Sequence, residues 1–506
     1  MVGYGMRRWW ALGALTLGVL AVGLDVTVLS VALPTLAVAL KASESDLQWF
    51  SSGYALTLAA GMLPAGVLGD RFGRKRVLVA ALVLFGLGSI ACAYSNGPVA
   101  FIAGRVALGA AGSAIVVMAL SVMAAMFSEE ERPRAVGVWA AANFLALPVG
   151  PIFGGWLLTN YWWGWIFLMN VPVAILGIIA VLALVPESRS AERPALDPVG
   201  MLLATVGLTG VTYGLIELGR HGWTDAPSLA IALAGVAIIA AFFAWERRVS
   251  APLIDLTLFR SRGFTWGVLL ASLGGLALIG LVFTLPQYSQ GVLGLDPQGS
   301  GVRLLPIIVG LVFGAVPADR VTERVGARVT IATGFAITSA GLLVGATTRV
   351  DSSPVYVAAW MAVVGFGMGV AFATAASAAL KTVPSERSGV ASALIQALQK
   401  VGAPLGSAIF GSVLVTVYQA NLSLAGLPPA AAAATRLSVF AGVAIAERLH
   451  SPALAASVRE AFVRGMDTAL LVSAAIAALA MLVALVFMPG RATATAIDDA
   501  VVEGVA

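Results

Sequence analysis

Asp25 interrupts an apolar run that starts after Arg8 and closes on Pro34. A charged side chain at the centre of a membrane helix costs about 2.5–3.5 kcal/mol on insertion scales, so it persists where it faces a cavity or a partner. Burial favours the neutral form of an acid and a nearby cation favours the charged form. An acid held between the two can carry either a proton or a cationic substrate, which makes exchange possible. The competing reading is an Asp satisfied by its own helix neighbours. Arg105 interrupts a second apolar run that begins at Pro98. If the first run climbs to an outer edge at Pro34 and the second descends from Pro98, Asp25 lies about 13 Å and Arg105 about 10 Å below that edge. The two are therefore expected to pair, with the Arg as a fixed positive charge beside a titrating acid. The other reading has Arg105 bonding carbonyls at the end of its span. Lys400, in the middle of a late apolar run, would counter Asp25, bind an anionic group, or lose its charge through desolvation.

Other polar residues inside apolar runs are candidates to line a substrate cavity: Tyr54, Asn143, Gln287, Tyr288, Gln396 and Gln399. Phe144 and Trp360 join them among the embedded aromatics, with Trp139, Phe283 and Phe366; the plainer reading of each is packing. Glu217 stands near the end of a peripheral run and reads more simply as reaching headgroups or water. Gly150, Gly154 and Gly155 form a small-residue face that lets another helix approach, and Pro148 and Pro151 bend their own helix. In the turn from Gly66 through Asp70, Arg71, Gly73, Arg74, Lys75 and Arg76, Asp70 can cap a helix and pair with the arginines. A gating role is expected there; plain positive anchoring is the alternative.

Several chemistries are missing. No phosphate-cradling lysine loop occurs, and no Ser/His/Asp constellation. His221 and His450 stand alone, and Cys92 is the one cysteine, which leaves no metal set. No cofactor and no enzyme activity are expected. The remaining energy source is an ion gradient, in which one charge crossing 100 mV is worth about 2.3 kcal/mol.

The elements that must position these residues are helices in lipid. The chain is 59% hydrophobic and 11% charged, against about 25% charged in a soluble domain. Fourteen apolar runs are long enough to span: 10–34, 47–69, 77–95, 98–124, 135–159, 165–185, 196–217, 227–245, 264–288, 302–318, 328–348, 355–380, 388–418 and 466–488. With the N-terminus inside, the inner segments hold twenty Lys and Arg and the outer ones eight. That asymmetry puts both termini in the cytoplasm. The net charge of +5 is scattered over short loops, which argues against nucleic acid as a partner. The outer segment 419–465 is long and is expected to hold a helical hairpin around Val439–Leu449 and Leu454–Val463, or a partly disordered loop. A looser echo of the Gly66 turn runs from Gly314 through Asp319 and Arg320 to Gly326 and Arg328, eight spans later. Two six-helix halves separated by two inserted helices explain that spacing. The expected divisions are 1–190, an inserted pair at 191–250, 251–488, and a cytoplasmic tail at 489–506. Only four of the 30 basic residues are Lys, which with the Ala and Gly excess suggests a GC-rich bacterial source.

Taken in order, these motifs resemble the major facilitator superfamily, and in particular its fourteen-helix drug:proton antiporters. Leu24 to Pro34 is similar to the first-helix motif, Gly66 to Arg76 to the cytoplasmic loop motif, Arg105 to Gly112 to the fourth-helix motif, and Gly150-Pro151 to Gly155 to the antiporter motif of the fifth. Trp165 to Pro172, Pro252 to Phe259, Leu285 to Tyr288 and Gly389 to Ser392 also look like family text. Ala146, Gly164, Ser30 and Lys400 depart from it. The resemblance implies an all-α polytopic membrane protein with the major facilitator fold and fourteen transmembrane helices. It implies export of small hydrophobic or cationic compounds in exchange for protons across the bacterial cytoplasmic (inner) membrane. Lipids, a small-molecule substrate and protons would be the partners, and the chain a monomer. A dedicated exporter of one metabolite, antibiotic, amino acid or lipid is the alternative, and a transport-inactive scaffold or sensor a third reading.

Overall fold

The computed structural model describes residues 2–127, 131–188, 197–249, 252–254, 256–381 and 388–489. Among them every regular element is helical, as expected where lipid leaves each backbone polar group to be satisfied within its own segment. The first half comprises α1 (Val2–Ala39), α2 (Glu44–Phe72), α3 (Arg74–Ala93), α4 (Pro98–Met126), α5 (Arg132–Asn160), α6 (Trp165–Leu168) and α7 (Asn170–Leu184). The pair α8 (Pro198–His221) and α9 (Ala226–Glu246) follows. The second half comprises α10 (Arg262–Gln287), α11 (Pro297–Arg303), α12 (Leu305–Val325), α13 (Ala327–Gly345), α14 (Pro354–Lys381), α15 (Ser388–Asn421), α16 (Pro429–Thr435), α17 (Val439–Arg448) and α18 (Pro452–Phe487). Among the described residues eleven helical stretches are long and apolar enough to cross a membrane, and α2, bent by 49° beside Pro64, makes a twelfth.

Two apolar clusters follow this division except for Phe283 of α10 in the first and Val31 of α1 in the second. One gathers Leu15, Phe50, Phe85, Phe101 and Phe167, the other Phe335, Trp360, Met368, Phe462 and Met466. The repeat seen in the sequence has a local counterpart. Gly73 between α2 and α3 and Gly326 between α12 and α13 both take positive φ, 108° and 87°, a region in which a side chain is strained. These two turns define one face of the molecule, the turn face. The opposite face carries α16 and α17 and is called the cap face.

Three expectations about elements are corrected. The first helix does not end at Pro34 but runs on to Ala39 with the proline inside it. Counted from Ala39, Asp25 lies about 21 Å down its helix, so α1 stands about two turns taller than α4. The span expected at 466–488 is the lower part of one 36-residue helix, α18, so the outer hairpin has α17 as a separate arm and the start of α18 as the other. Leu454, Val458, Ala461 and Phe462 are buried along that start, which keeps the helix continuous. The run expected at 302–318 is preceded by the short α11, and α10 passes after Pro286 into a π-helical turn at Tyr288–Val292.

The halves meet on the cap side. Gln290 Nε2 donates to Val31 O at 2.9 Å, Gln287 Nε2 to Glu44 Oε1 at 3.0 Å, and the Gln298 amide to Thr159 Oγ1 at 3.3 Å. Lower down, Ser52 Oγ and Ser407 Oγ lie 2.5 Å apart. The pair α8–α9 stands against this seam. Ser412 and Thr416 of α15 donate to the carbonyls of Leu215 and Gly219, Leu208 packs with Leu56 and Ala59 of α2, and Tyr213 lies 6.0 Å from Trp49.

Candidate functional site

Five helices of the first half converge on Asp25. The side chain comes from α1 and is 2% exposed. Arg105 of α4, 1% exposed, places Nη1 2.5 Å from Asp25 Oδ2 and donates from Nε to Phe50 O of α2 at 3.1 Å. The second carboxylate oxygen accepts from Asn170 Nδ2 of α7 at 3.3 Å, and the same amide lies 3.3 Å from Ser89 Oγ of α3. The Tyr54 ring lies under the guanidinium, 4.2 Å from Arg105 Cζ, and its hydroxyl donates to Val22 O at 3.4 Å. Both charges are thus sealed from solvent and compensated by each other. A pair of this kind gains little net stability, because desolvation offsets attraction, but removing one partner strands the other charge. All of these groups belong to the first half.

Gly150 and Gly154 of α5 are the surface on which α1 rests just beyond Asp25. A methyl group on Gly150 would strike Thr27 Oγ1, and one on Gly154 would strike Val28. Thr27 Oγ1 also donates to Ala146 O at 3.0 Å. One turn round, Pro151 and Gly155 meet α11 of the other half. A methyl on Gly155 would lie 2.6 Å from Pro297 O, and Gly301 is closed against Pro151 O. The small-residue motif is thus a two-sided junction, with α1 on one side and the opposite half on the other.

The turn motif is tied into its own half. Arg74 donates to Asp70 Oδ1 from Nε at 3.0 Å and Nη2 at 2.8 Å, and to Ser121 O at 3.3 Å. Glu187, in the segment that follows α7, accepts from the Lys75 amide and pairs with Arg76 at 3.6 Å. Gly73 leaves no room for a Cβ beside that carboxylate. Arg71 is exposed against Phe72, Gly66 faces Val117, and none of these contacts reaches the second half.

The cavity candidates separate. Tyr54 belongs to the ion pair. Gln287 is fully buried in the seam between the halves. Tyr288, 1% exposed, donates to Arg349 O, and Trp360 sits in the second core beside Gly345. Gln399 is partly exposed on α15. The side chains of Asn143, Phe144, Gln396 and Lys400, like the tail from 490, lie outside the described residues. Glu217 pairs with His221 at 3.1 Å and approaches Arg220 at 3.9 Å. Asn170, Glu44 and Glu187 carried no role in the sequence reading. Asn170 was visible as a buried-looking amide in an apolar run; Glu44 and Glu187 lay among loop-like polar residues.

The Major Facilitator Superfamily model matches residues 15–407. The chain is 32% identical to the tetracenomycin C resistance and export protein of Streptomyces glaucescens, over 95% of this chain and 91% of that protein. It is 30% identical to the multidrug efflux pump LfrA of Mycolicibacterium smegmatis (94% and 95% covered), and 33% to the methyl viologen resistance protein SmvA of Salmonella typhimurium (92% and 95%). A bacterial homolog of the human lysosomal transporter Spinster, inward-facing and unoccupied, superposes with TM-score 0.66 at 17% identity, covering 95% of this chain and 98% of that one. A D-xylose–proton symporter gives 0.61 at 16%, covering 96% and 98%. Sequence and fold agree: the chain belongs to the Major Facilitator Superfamily and is a membrane transporter, not an enzyme.

Proposed function

We propose that this transporter is a fourteen-span, proton-coupled antiporter that exports small hydrophobic or cationic compounds across the bacterial cytoplasmic membrane. In this reading α5 and α15, 29 and 34 residues long, add two spans to the twelve candidates. The Lys and Arg asymmetry sets the turn face and both termini in the cytoplasm. The proton gradient supplies the energy without a cofactor, and the chain works as a monomer. Relatives that confer resistance to methyl viologen, tetracenomycin C and multiple drugs support the substrate class.

The observation that carries the reading is the buried Asp25–Arg105 pair. Protonating Asp25 removes the charge that holds Arg105; the guanidinium then keeps its backbone acceptor on α2, the Tyr54 ring and at most a neutral acceptor on the acid. That discharge frees α1 from α4 and lets α1 move with α5, whose other edge meets the second half. Export follows if the proton is taken from outside while cargo is released and is given up inside as cargo binds, with the halves rocking between. In this orientation the closed cap seam marks the state shut toward the exterior.

Asp25→Asn in proteoliposomes tests the coupling. Substrate-driven proton flux is expected to fall at least tenfold, about 1.4 kcal/mol of lost coupling; full flux in the variant overturns it. A dedicated antibiotic exporter is a second reading, favoured by the tetracenomycin C relative. A resistance panel separates the two, since protection against one compound alone supports the dedicated exporter.

A further inference from the structure

Glu44 is an acid that the coupling site does not use. It opens α2 on the cap face and is 2% exposed. Among the described residues its carboxyl has one hydrogen-bond donor, Gln287 Nε2 of α10 at 3.0 Å, an amide shared with Phe283 O at 3.2 Å. Its backbone amide donates to Leu437 O, just before α17, at 2.9 Å. Four residues on, Gln48 is fully buried, and neither of its amide atoms has a partner. It fills a notch at Gly411 of α15, where a methyl group would come within 2.5 Å of Gln48 Cγ. Four residues further, Ser52 meets Ser407. Glu44, Gln48 and Ser52 therefore form a polar file along the face of α2 that closes on the second half.

The file is short of charge partners. Lys41 and Arg436 are exposed at its rim, and Asp46 is held by Ser43 in the capping box that starts α2. The Tyr418 phenol of α15 lies close by with its hydroxyl committed to Thr435 O and Ser438 O at 2.9 and 3.1 Å. Two amide oxygens in the seam, Gln48 Oε1 and Gln287 Oε1, are buried without a donor, against one amide nitrogen, Gln48 Nε2, without an acceptor. Shutting the halves over a carboxylate thus leaves a charge with one neutral donor in an apolar enclosure. Shutting them over a carboxylic acid leaves a neutral group and adds a donor where acceptors are in excess.

We propose that Glu44 is a second proton-binding group of this transporter, which must be occupied before the two halves shut on the cap face. Asp25 and Glu44 then divide the work. Asp25 exchanges its proton inside the first half, while Glu44 senses the medium on the cap side and licenses closure. The two are joined through α2, which supplies Glu44, the Phe50 carbonyl held by Arg105, and Tyr54. The proposal rests on the antiport reading for the use of the proton in the cycle, but the response of the seam to pH is read separately.

The test uses the full chain in nanodiscs, with Cys92→Ala and spin labels at Asn96 and Asp351, which are exposed on the cap face of the two halves. Label separations are measured by double electron–electron resonance between about pH 5 and about pH 9, the range over which buried carboxyls titrate. The short-distance population of the parent protein is expected to grow as pH falls. Glu44→Gln, which is neutral and keeps an acceptor for Gln287, is expected to hold the low-pH distribution throughout, several-fold above the parent at alkaline pH. Gln287→Leu, which leaves the carboxylate without its donor, is expected to shut with less acid. Asp25→Asn is expected to keep the pH response of the seam. A Glu44→Gln protein that titrates as the parent does overturns the proposal, and the antiport reading then stands or falls on the Asp25→Asn flux alone. A normal flux in Asp25→Asn together with a pH-insensitive Glu44→Gln retains the seam proton and removes the antiport reading.

Discussion

Arg105 serves three groups at once. It holds Asp25 with Nη1, Phe50 O with Nε, and lies over the Tyr54 ring. Arg105→Ala strands a buried carboxylate, which costs about 3–5 kcal/mol, and the variant is expected to melt far lower in detergent or fail to accumulate. Arg105→Lys keeps the charge but has no planar fork to serve both acceptors. It is expected to fold and to lose at least about tenfold in dye efflux, the equivalent of about 1.4 kcal/mol. A lysine variant with parental efflux would show that the fork geometry is unimportant. Both members of the pair were legible in the sequence, because a charge inside an apolar run is rare and needs a partner. Asn170 was not assigned to it, since nothing in a one-dimensional pattern shows that the α6–α7 break brings that amide onto Asp25. Glu44 was hidden for a different reason. It follows Ser43 and precedes Asp46 in a capping box, so it reads as the polar start of a helix, and its burial comes from the other half.

The helices show which parts of the pattern are local and which are set by packing. Eleven of the spans, and the bent α2 as a twelfth, were legible because period and length are properties of single segments. Their ends were not: α1 passes through Pro34 because its neighbours supply the environment, and α18 absorbs what looked like part of a loop because the cap buries its first turns. The π turn after Pro286 has the same character. It follows a missing backbone donor, and it leaves both Gln287 and Gln290 reaching the first half. The two edges of α5 give a prediction that distinguishes their roles. Gly150→Ala pushes a methyl into Thr27 on α1, an overpacking that costs about 1–3 kcal/mol; a lower melting temperature with slowed efflux is expected. Gly155→Ala presses instead on Pro297 and Gln298 of the second half. It is expected to loosen the cap side, read as faster reaction of a Ser300→Cys thiol with an impermeant maleimide in a Cys92→Ala background. Equal rates with and without Gly155→Ala would count against the two-sided junction.

Over the whole molecule, the closed cap face is held by contacts that are imperfect. Gln48 brings two unpartnered polar atoms into the seam, and each buried orphan costs about 1–3 kcal/mol, whereas an apolar replacement of similar shape is neutral or stabilising. Gln48→Leu is therefore expected to raise the melting temperature and slow efflux, because the shut state becomes too favourable to leave. Faster efflux in that variant would argue that the seam is not the step that limits turnover. An interface meant to open is better built with such defects than without them.

The α8–α9 pair makes the two sides of that interface unequal. It leans on α2 and α15 through Leu208, Tyr213 and the carbonyls that receive Ser412 and Thr416, so the α2–α15 crevice is screened from acyl chains. The junction of α5 with α11 has no such cover among the described residues. The two flanks on which the halves meet therefore present different surfaces to lipid: one is covered by an extra helical pair, and on the other α5 and α11 meet uncovered.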